Sequence, residues 1–199
     1  MKLLKNLLLL TILTATSCFA QKDVTQKYPH HLLTVEPGVG IHTNFGTDLL
    51  LSTMVQWNPM KRLALASHSS YNINNLTQRE FNYVTTDYNY SLNQKFGVGT
   101  TLYAKKSSHS FLLMAGVKYT AYQETLHNPD LPPASQSVSS VSPDYGMMYS
   151  LKKGGRKTFF TFRAYLPLYP FPMKGSDINY VDGNQNNVAL EFGLGLKIK

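Results

Sequence analysis

Hydrophobic and polar residues alternate with a period of two along most of this chain. In the last segment every second residue from Val188 to Ile198 is apolar, and the residues between them are small or charged. A period of two is that of an extended strand with one apolar face. The pattern recurs in segments joined by turn residues, and no segment has a convincing helical period. The sequence therefore predicts an all-β protein with antiparallel strands.

Nine segments have a strong strand pattern. They cover residues 33–41, 49–57, 63–68, 84–92, 96–104, 111–119, 145–151, 160–168 and 188–198. Turns are predicted at Asn58–Lys61, at Ser91–Lys95 and in the stretch KKGGRK, because these segments contain turn-forming residues. The proline-rich stretch LHNPDLPPASQS and the segment that ends at Asn187 are predicted to be long loops. Residues 176–181 are a candidate short tenth strand.

The N-terminus has the pattern of a secretory signal peptide. Lys2 and Lys5 precede an apolar run from Leu7 to Leu13, and small residues follow up to Ala20. The run is far shorter than the ~20 residues that span a bilayer. We predict a signal peptide over 1–20, an extension over 21–31 and one domain over 32–199. Cys18 allows an alternative, a lipoprotein with a lipidated cysteine, but otherwise the mature chain has no cysteine.

The composition favours lipid over water on the apolar face. Charged residues are only 15% of the chain, whereas ~25% is usual in soluble domains. The polar face consists of Gly, Ala, Thr and Ser with few charges, which suits the crowded inside of a narrow closed barrel. Aromatic residues lie toward strand ends, as in the aromatic girdles of membrane barrels. The members of this predicted girdle are Trp57, Tyr88, Tyr90, Tyr119, Tyr145, Tyr169 and Phe171. We therefore predict a closed antiparallel up-and-down transmembrane β-barrel.

The number of strands is left between eight and ten. Bacterial single-chain barrels have an even number of strands. Ten requires residues 176–181 as a strand, and eight requires Leu32–His42 to lie outside the barrel wall. Ten is slightly favoured, because it keeps every strong strand.

The whole mature chain resembles small outer-membrane β-barrel proteins of Gram-negative bacteria. The turns in YSLNQKFGVG and QWNPMKRLAL resemble those of barrels common among Bacteroidetes. The resemblance covers Leu32 to Lys199 and implies an exported protein located in the outer membrane. It also implies outer-membrane lipid and the barrel-assembly machinery as partners. It supplies no catalytic residues and no cofactor.

Six charged residues are predicted to form an ionic network in the barrel interior. Buried charges are costly unless they are paired, and these residues lie on strands of the predicted barrel. They are Glu36, Lys118, Asp144, Arg163, Glu191 and Lys197.

His68 and Ser70 are the weak candidates for enzyme chemistry. They are two residues apart and share a strand face, and a histidine beside a serine can generate a nucleophile. The stretch ASHSSYNIN resembles the His-x-Ser-Asn element of outer-membrane lipid A deacylases, although Tyr71 replaces the asparagine. The alternation directs His68 and Ser70 inward, so a polar lumen lining is the favoured interpretation. No metal site is predicted, because His30, His31 and His42 have no completing ligands.

The favoured function is a non-enzymatic outer-membrane barrel with a structural, adhesive or surface-binding role. Three alternatives stay open: a narrow pore or transporter for small solutes, a lipid-modifying enzyme, and a soluble periplasmic lipocalin-like barrel. The formal net charge of +8 suits an anionic partner. Nucleic acid is not expected, because the basic residues form no helix or compact patch and the protein is predicted to be exported.

Overall fold

The computed structural model describes residues 32–42, 49–73, 83–104, 107–154, 157–168, 177–178 and 188–198. These residues form eight antiparallel strands, and the sheet closes because the first strand pairs with both the second and the last. The strands are β1 (Leu32–His42), β2 (Leu49–Asn58), β3 (Leu63–Ile73), β4 (Val84–Tyr103), β5 (Ser107–Leu126), β6 (Ala134–Gly154), β7 (Thr158–Pro167) and β8 (Ala189–Ile198). The predicted fold class, an all-β closed antiparallel barrel, is confirmed. Within the described part of the chain, no helix is long and apolar enough to cross a membrane.

The strand count corrects two expectations from the sequence. Ser91–Lys95 is not a turn: it lies within β4, which pairs continuously with β3 from Leu63↔Thr100 to Ile73↔Tyr90. The two segments on either side of it are therefore one strand, so the preference for ten strands is wrong and eight is the observed number. The eight-strand alternative had the correct number of strands, but it wrongly placed Leu32–His42 outside the barrel wall. This segment is part of the wall, because it pairs with β2 and β8. Most of the candidate tenth strand lies outside the described residues.

Three strands continue beyond their neighbours and form an extension of the barrel. The β3–β4 pairing ends at Tyr90 and the β6–β7 pairing ends at Gly146, but β4, β5 and β6 stay paired up to Val84, Leu126 and Ala134. The proline-rich stretch is consequently a shorter loop than predicted, residues 127–133, because its last residues already belong to β6.

The two ends of the barrel differ in the length of their connections. At one end, here called the turn end, β1 begins, β8 ends and residues 59–62, 104–106 and 155–157 connect the strands. At the other, the loop end, the connections are residues 43–48, 74–83, 127–133 and 168–188. Both long loops predicted from the sequence thus connect strand ends at the same end of the barrel, where the extension also lies.

The barrel is apolar outside and polar inside. In β8, Phe192 and Leu194 are 49% and 69% exposed, whereas the neighbouring Glu191 is 1% exposed. Among the described residues, the buried polar and charged side chains outnumber the buried apolar ones. The apolar part of the interior is a smaller cluster of Leu, Met, Ala and Tyr residues that includes Leu50, Met54 and Met148. The outer surface is therefore suited to hydrocarbon and the lumen to polar contacts.

Aromatic side chains lie near both ends of the outer surface. At the loop end, Tyr90 is 6.0 Å from both Tyr71 and Tyr88, measured between ring centroids. At the turn end, Phe111 lies 5.2 Å from Tyr149 in the same measure. Two members of the predicted girdle, Tyr169 and Phe171, lie outside the described residues. The arrangement is that of interfacial aromatic belts.

Candidate functional site: the charge network in the lumen

Arg163 lies at the centre of the lumen and connects three strands. It points inward from β7 because it alternates with the outward residues Phe162 and Ala164. Its Nη2 atom lies 2.8 Å from Oε2 of Glu191 on β8 and donates to the Ser52 hydroxyl at 2.9 Å. Its Nη1 atom donates to the backbone oxygen of Glu36 on β1 at 3.0 Å. The guanidinium is completely buried, so its charge depends on these acceptors.

A glycine makes room for this guanidinium. Gly38 faces the lumen on β1, and a Cβ atom added there would collide with Nη2 of Arg163 and approach the Ser52 Oγ to 3.3 Å. The absence of a side chain at Gly38 thus lets the arginine reach across to β1 and β8.

Side chains from several strands contact the Glu36 carboxylate. Lys152 on β6 makes an ion pair with its Oε1, and the Lys152 Nζ also donates to the Thr34 hydroxyl at 3.1 Å. The Thr34 hydroxyl donates to Oε1 at 2.7 Å, and the Thr161 hydroxyl donates to Oε2 at 3.2 Å. Oε2 also lies 4.0 Å from Nη1 of Arg163. Both carboxylate oxygens are therefore satisfied although Glu36 is fully buried.

Glu191 bridges Arg163 to His68. Its Oε1 lies 3.0 Å from Nε2 of His68 on β3, and its Oε2 accepts from the Ser52 hydroxyl at 2.6 Å. Glu191 and His68 are both 1% exposed. The carboxylate thus joins β2, β3, β7 and β8 across the interior, and the contacts are charge-assisted hydrogen bonds, the stronger kind.

A second ionic cluster lies toward the loop end, around Asp144. Lys95 Nζ is 3.0 Å from Oδ2 of Asp144, and the Asn93 side-chain amide donates to the same oxygen. The Tyr165 hydroxyl donates to Oδ1, and Lys95 lies 3.5 Å from the centre of the Tyr165 ring. Lys95 therefore combines an ion pair with a cation–π contact inside the barrel.

The structure brings some of the six predicted network residues together and places others elsewhere. Glu36, Arg163 and Glu191 share the central cluster, whereas Asp144 belongs to the second one. Lys118 is half-buried and lines a cavity at the loop end. Lys197 is exposed at the turn end, with its Nζ 5.9 Å from the Phe159 ring centre.

Two lysines of the lumen were missed by the sequence analysis. Lys95 was assigned to a turn that does not exist, and Lys152 was included in the KKGGRK turn. The inward orientation of Lys152 could have been predicted, because Lys152 continues the inward-facing series of Met148 and Ser150 in steps of two. The same rule applied to an uninterrupted β4 places Lys95 on the inward face with Asn93.

The enzyme candidates His68 and Ser70 both lie inside the barrel, as their alternation predicted. His68 is paired with Glu191, and Ser70 is buried on the same strand. Both line the loop-end cavity, which has a volume of about 20 Å³, room for about one water molecule. The described residues contain no group of three His, Cys, Asp or Glu side chains placed to hold a metal ion.

An uncharged hydrogen-bonded cluster fills the lumen near the turn end. The Gln56 amide nitrogen donates to Asn58 at 2.9 Å, to Ser110 at 3.1 Å and to Thr101 at 3.2 Å. The hydroxyls of Thr101 and Ser110 are 2.9 Å apart. Side chains from β2, β4 and β5 therefore meet across this end of the interior.

Comparisons with known proteins agree on the class of fold. No protein-family model matches the chain, and no curated protein matches it. Solved structures do, and they place the chain in the fold of small outer-membrane β-barrels.

Two of these structures are similar over nearly their whole length. A major outer membrane protein from Thermus thermophilus superposes with a TM-score of 0.57 at 12% identity, covering 84% of this chain and 99% of that one. The attachment invasion locus protein Ail of Yersinia pestis superposes with a TM-score of 0.51 at 8% identity, covering 85% of this chain and 99% of Ail. At these identities the likeness establishes the fold, and the resemblance to Bacteroidetes barrels stays a prediction.

Proposed function

We propose that this chain is an integral outer-membrane β-barrel protein with a non-enzymatic, structural or surface-binding role. The observation that carries the proposal is the inverted burial, with apolar side chains outside and ion pairs inside. In water, exposed apolar residues such as Phe192, Leu194 and Leu196 would form a continuous hydrophobic band that promotes aggregation. In a bilayer the same band is solvated by acyl chains, and closure of the sheet leaves no unpaired edge within it. The soluble lipocalin-like alternative requires the opposite arrangement of faces.

The proposed orientation follows from the connections. Membrane barrels of this kind have short periplasmic turns and longer extracellular loops. The turn end would therefore face the periplasm, and the loop end with the extension formed by β4, β5 and β6 would face outward. A paired extension beyond the membrane offers a surface for contact with other molecules, which supports a surface-binding role.

The packed lumen supports a plugged barrel rather than a pore. Arg163 and its partners cross the middle, and the Gln56 cluster occupies the turn end. Barrels of about eight strands have interiors just wide enough for side chains to fill, whereas aqueous channels come with 16–18 strands. Conduction would require these contacts to separate.

The enzyme alternative has little geometric support. A lipid hydrolase needs a site that its substrate can reach from the membrane, but His68 and Ser70 point away from the lipid-facing surface. The cavity beside them, about 20 Å³, is far too small for an acyl chain. Outer-membrane lipid and the barrel-assembly machinery are the partners that the proposal requires.

The proposal is tested by fractionation and electrophoresis of the exported chain. We expect the protein in the membrane fraction, extracted only by detergent, and migrating differently in SDS before and after heating because a closed barrel resists unfolding by SDS. A variant with Leu194→Arg and Phe192→Arg serves as the control, since it should lose the unheated band. Recovery of the native chain in the soluble periplasm, with no heat shift, would contradict the proposal.

A further inference from the structure

We propose that the turn end of the barrel binds anionic phospholipid headgroups through a ring of exposed basic side chains. This basic rim consists of Lys61, Arg62, Lys153 and Lys157, all exposed. The inference rests on the proposed membrane insertion and adds a lipid class and a leaflet to it: headgroups such as phosphatidylglycerol on the periplasmic side.

The rim residues come from two separate hairpins on the barrel wall. Lys61 and Arg62 lie in the connection from β2 to β3. Lys153 lies near the end of β6, and Lys157 lies in the connection from β6 to β7. The backbone of the first hairpin is fixed by a hydrogen bond from the Thr101 amide to the Arg62 oxygen at 2.8 Å. That of the second is fixed by a bond from the Lys197 amide to the Lys157 oxygen at 2.9 Å. Cations are therefore held on different sides of the barrel at one level.

The turn end carries no opposing negative charge among its described residues. Residues 32–34, 56–65, 98–104, 107–112, 148–154, 157–162 and 194–198 contain no Asp or Glu. The ion pairs of the two lumen clusters do not involve the basic rim. By sequence alone, Lys105, Lys106 and Arg156 fall in the same short connections. Among the described residues, the charge at this end is therefore of one sign.

The extension at the loop end has the opposite character. Residues 83–94 and 119–143, which form the extension and the wall next to it, contain Asp87, Glu124 and Asp130 but no Lys or Arg. Within the part of the chain that the structure describes, every exposed Lys or Arg lies at the turn end. This separation of charge creates a field directed along the barrel axis.

The position of the rim favours headgroups over a soluble acidic partner. Lys153 lies on the outer face and is paired in register with Phe160, which is 46% exposed on the lipid-facing surface. Lys61 and Arg62 come directly before Leu63, where β3 begins. Trp57, 43% exposed, lies at the same level, the usual depth of interfacial aromatic residues. Cations at the border of an apolar band lie where phosphate groups are, and basic clusters at that depth attract anionic lipids.

Trp57 is a built-in reporter of this surface, because it is the only tryptophan of the chain. It is paired with Leu33 on β1, and Leu33 is paired with Ile198 on β8. Lys157 directly precedes β7, the next strand of the wall, so Trp57 and Lys157 are separated by three strand spacings, about 15 Å. Lys61 and Arg62 follow Trp57 in the adjoining turn. A lipid held by Lys61 or Arg62 would therefore lie beside the indole, whereas a lipid held by Lys157 would lie about three strand spacings away.

The experiment is fluorescence quenching of Trp57 in bilayers that contain brominated lipid. The exported full chain is reconstituted in phosphatidylcholine with either brominated phosphatidylglycerol or brominated phosphatidylcholine at the same mole fraction. We expect the anionic lipid to quench about twofold more strongly, because it is enriched at the rim. This excess of quenching by the anionic lipid should vanish near 1 M salt, where the electrostatic screening length falls to ~3 Å.

Two variants test whether the basic rim causes the stronger quenching by the anionic lipid. The neutral variant, Lys61→Gln, Arg62→Gln, Lys153→Gln and Lys157→Gln, should be quenched equally by both lipids. The matched control, Lys61→Arg, Arg62→Lys, Lys153→Arg and Lys157→Arg, keeps the charge and should keep the excess. Heat-shifted electrophoresis of each sample verifies that the barrel is folded.

The outcomes of this experiment distinguish a failure of this inference from a failure of the proposed function. Equal quenching by the two lipids in the native chain would overturn the inference and leave membrane insertion intact; a rim that binds a soluble acidic polymer instead would give this result. An excess that persists in the neutral variant would also overturn it. If neither lipid quenches Trp57 and no heat shift occurs, the membrane assignment itself is wrong.

Discussion

Replacing Arg163 by methionine is expected to destabilise the barrel by about 3–5 kcal/mol, the usual cost of removing one partner from a buried ion pair. Methionine retains much of the arginine volume, so the loss is electrostatic rather than a packing defect. It leaves Glu191 and the backbone oxygen of Glu36 without their main donor in a closed lumen. The measurement is the free energy of unfolding in urea, with the protein refolded into lipid vesicles.

The double variant Arg163→Met with Glu191→Gln is the control for this expectation. It removes the carboxylate that the single variant leaves uncompensated, so part of the lost stability should return. Residues that share one network do not have additive effects, and the double-mutant cycle measures their coupling. Additive losses, or a single variant as stable as the native chain, would show that Arg163 does not hold the lumen together.

Replacing Leu194 by arginine is expected to cost about 2–4 kcal/mol, the range for a lipid-facing arginine near the bilayer midplane. Leu194 lies near the middle of β8 and is 69% exposed. In a soluble barrel, an exposed leucine exchanged for arginine would be nearly neutral. The folded fraction in vesicles, read from the unheated electrophoresis band over a urea series, measures the cost.

Leu131 provides a matched control for the same substitution. It is 53% exposed but lies in the loop between β5 and β6, beyond the apolar band. Leu131→Arg should therefore change the stability by less than about 0.5 kcal/mol, as is usual for surface positions. Equal costs at Leu194 and Leu131, or no cost at either, would count against a bilayer around β8.

The inward and outward faces of the strands could be predicted from the sequence, because one face of each strand meets a uniform environment. In β8 the series Phe192, Leu194 and Leu196 is uninterrupted, so the period of two specifies the outward face without any knowledge of neighbours. Closure of the sheet also follows, since lipid tolerates no open edge.

The error at Ser91–Lys95 has a specific physical cause. Four of its five residues are polar, and Gln94 places a polar side chain on the outer face, so the segment resembles a turn. Inside the barrel, Asn93 and Lys95 contact Asp144. On the outside, Gln94 accepts a hydrogen bond from the Ser69 hydroxyl and donates one to Ser67 at 3.0 Å. Polar side chains on the lipid side are tolerated where they satisfy one another, and a single sequence does not reveal such cross-strand partners.

The pairing of charges in the lumen was beyond the reach of sequence reasoning for a related reason. Alternation places Glu36, Arg163 and Glu191 on the inner face, but it does not say which side chains meet. Glu36 contacts Lys152 from β6, a strand that is not its neighbour in the wall. Contacts across the lumen depend on the stagger of the closed sheet, which is a property of the whole barrel.

The central claim, that the apolar face of the barrel meets lipid, is tested most directly by a nitroxide scan of β8. Single cysteines replace each residue from Leu190 to Ile198 in a Cys18→Ser background, and the labelled chains are reconstituted in bilayers. Accessibility to oxygen should alternate with a period of two, high at Phe192, Leu194 and Leu196, while accessibility to a water-soluble nickel chelate stays low there. High nickel accessibility at those three positions, or low oxygen accessibility at all of them, would contradict the account, because the apolar face would then meet water or a protein core.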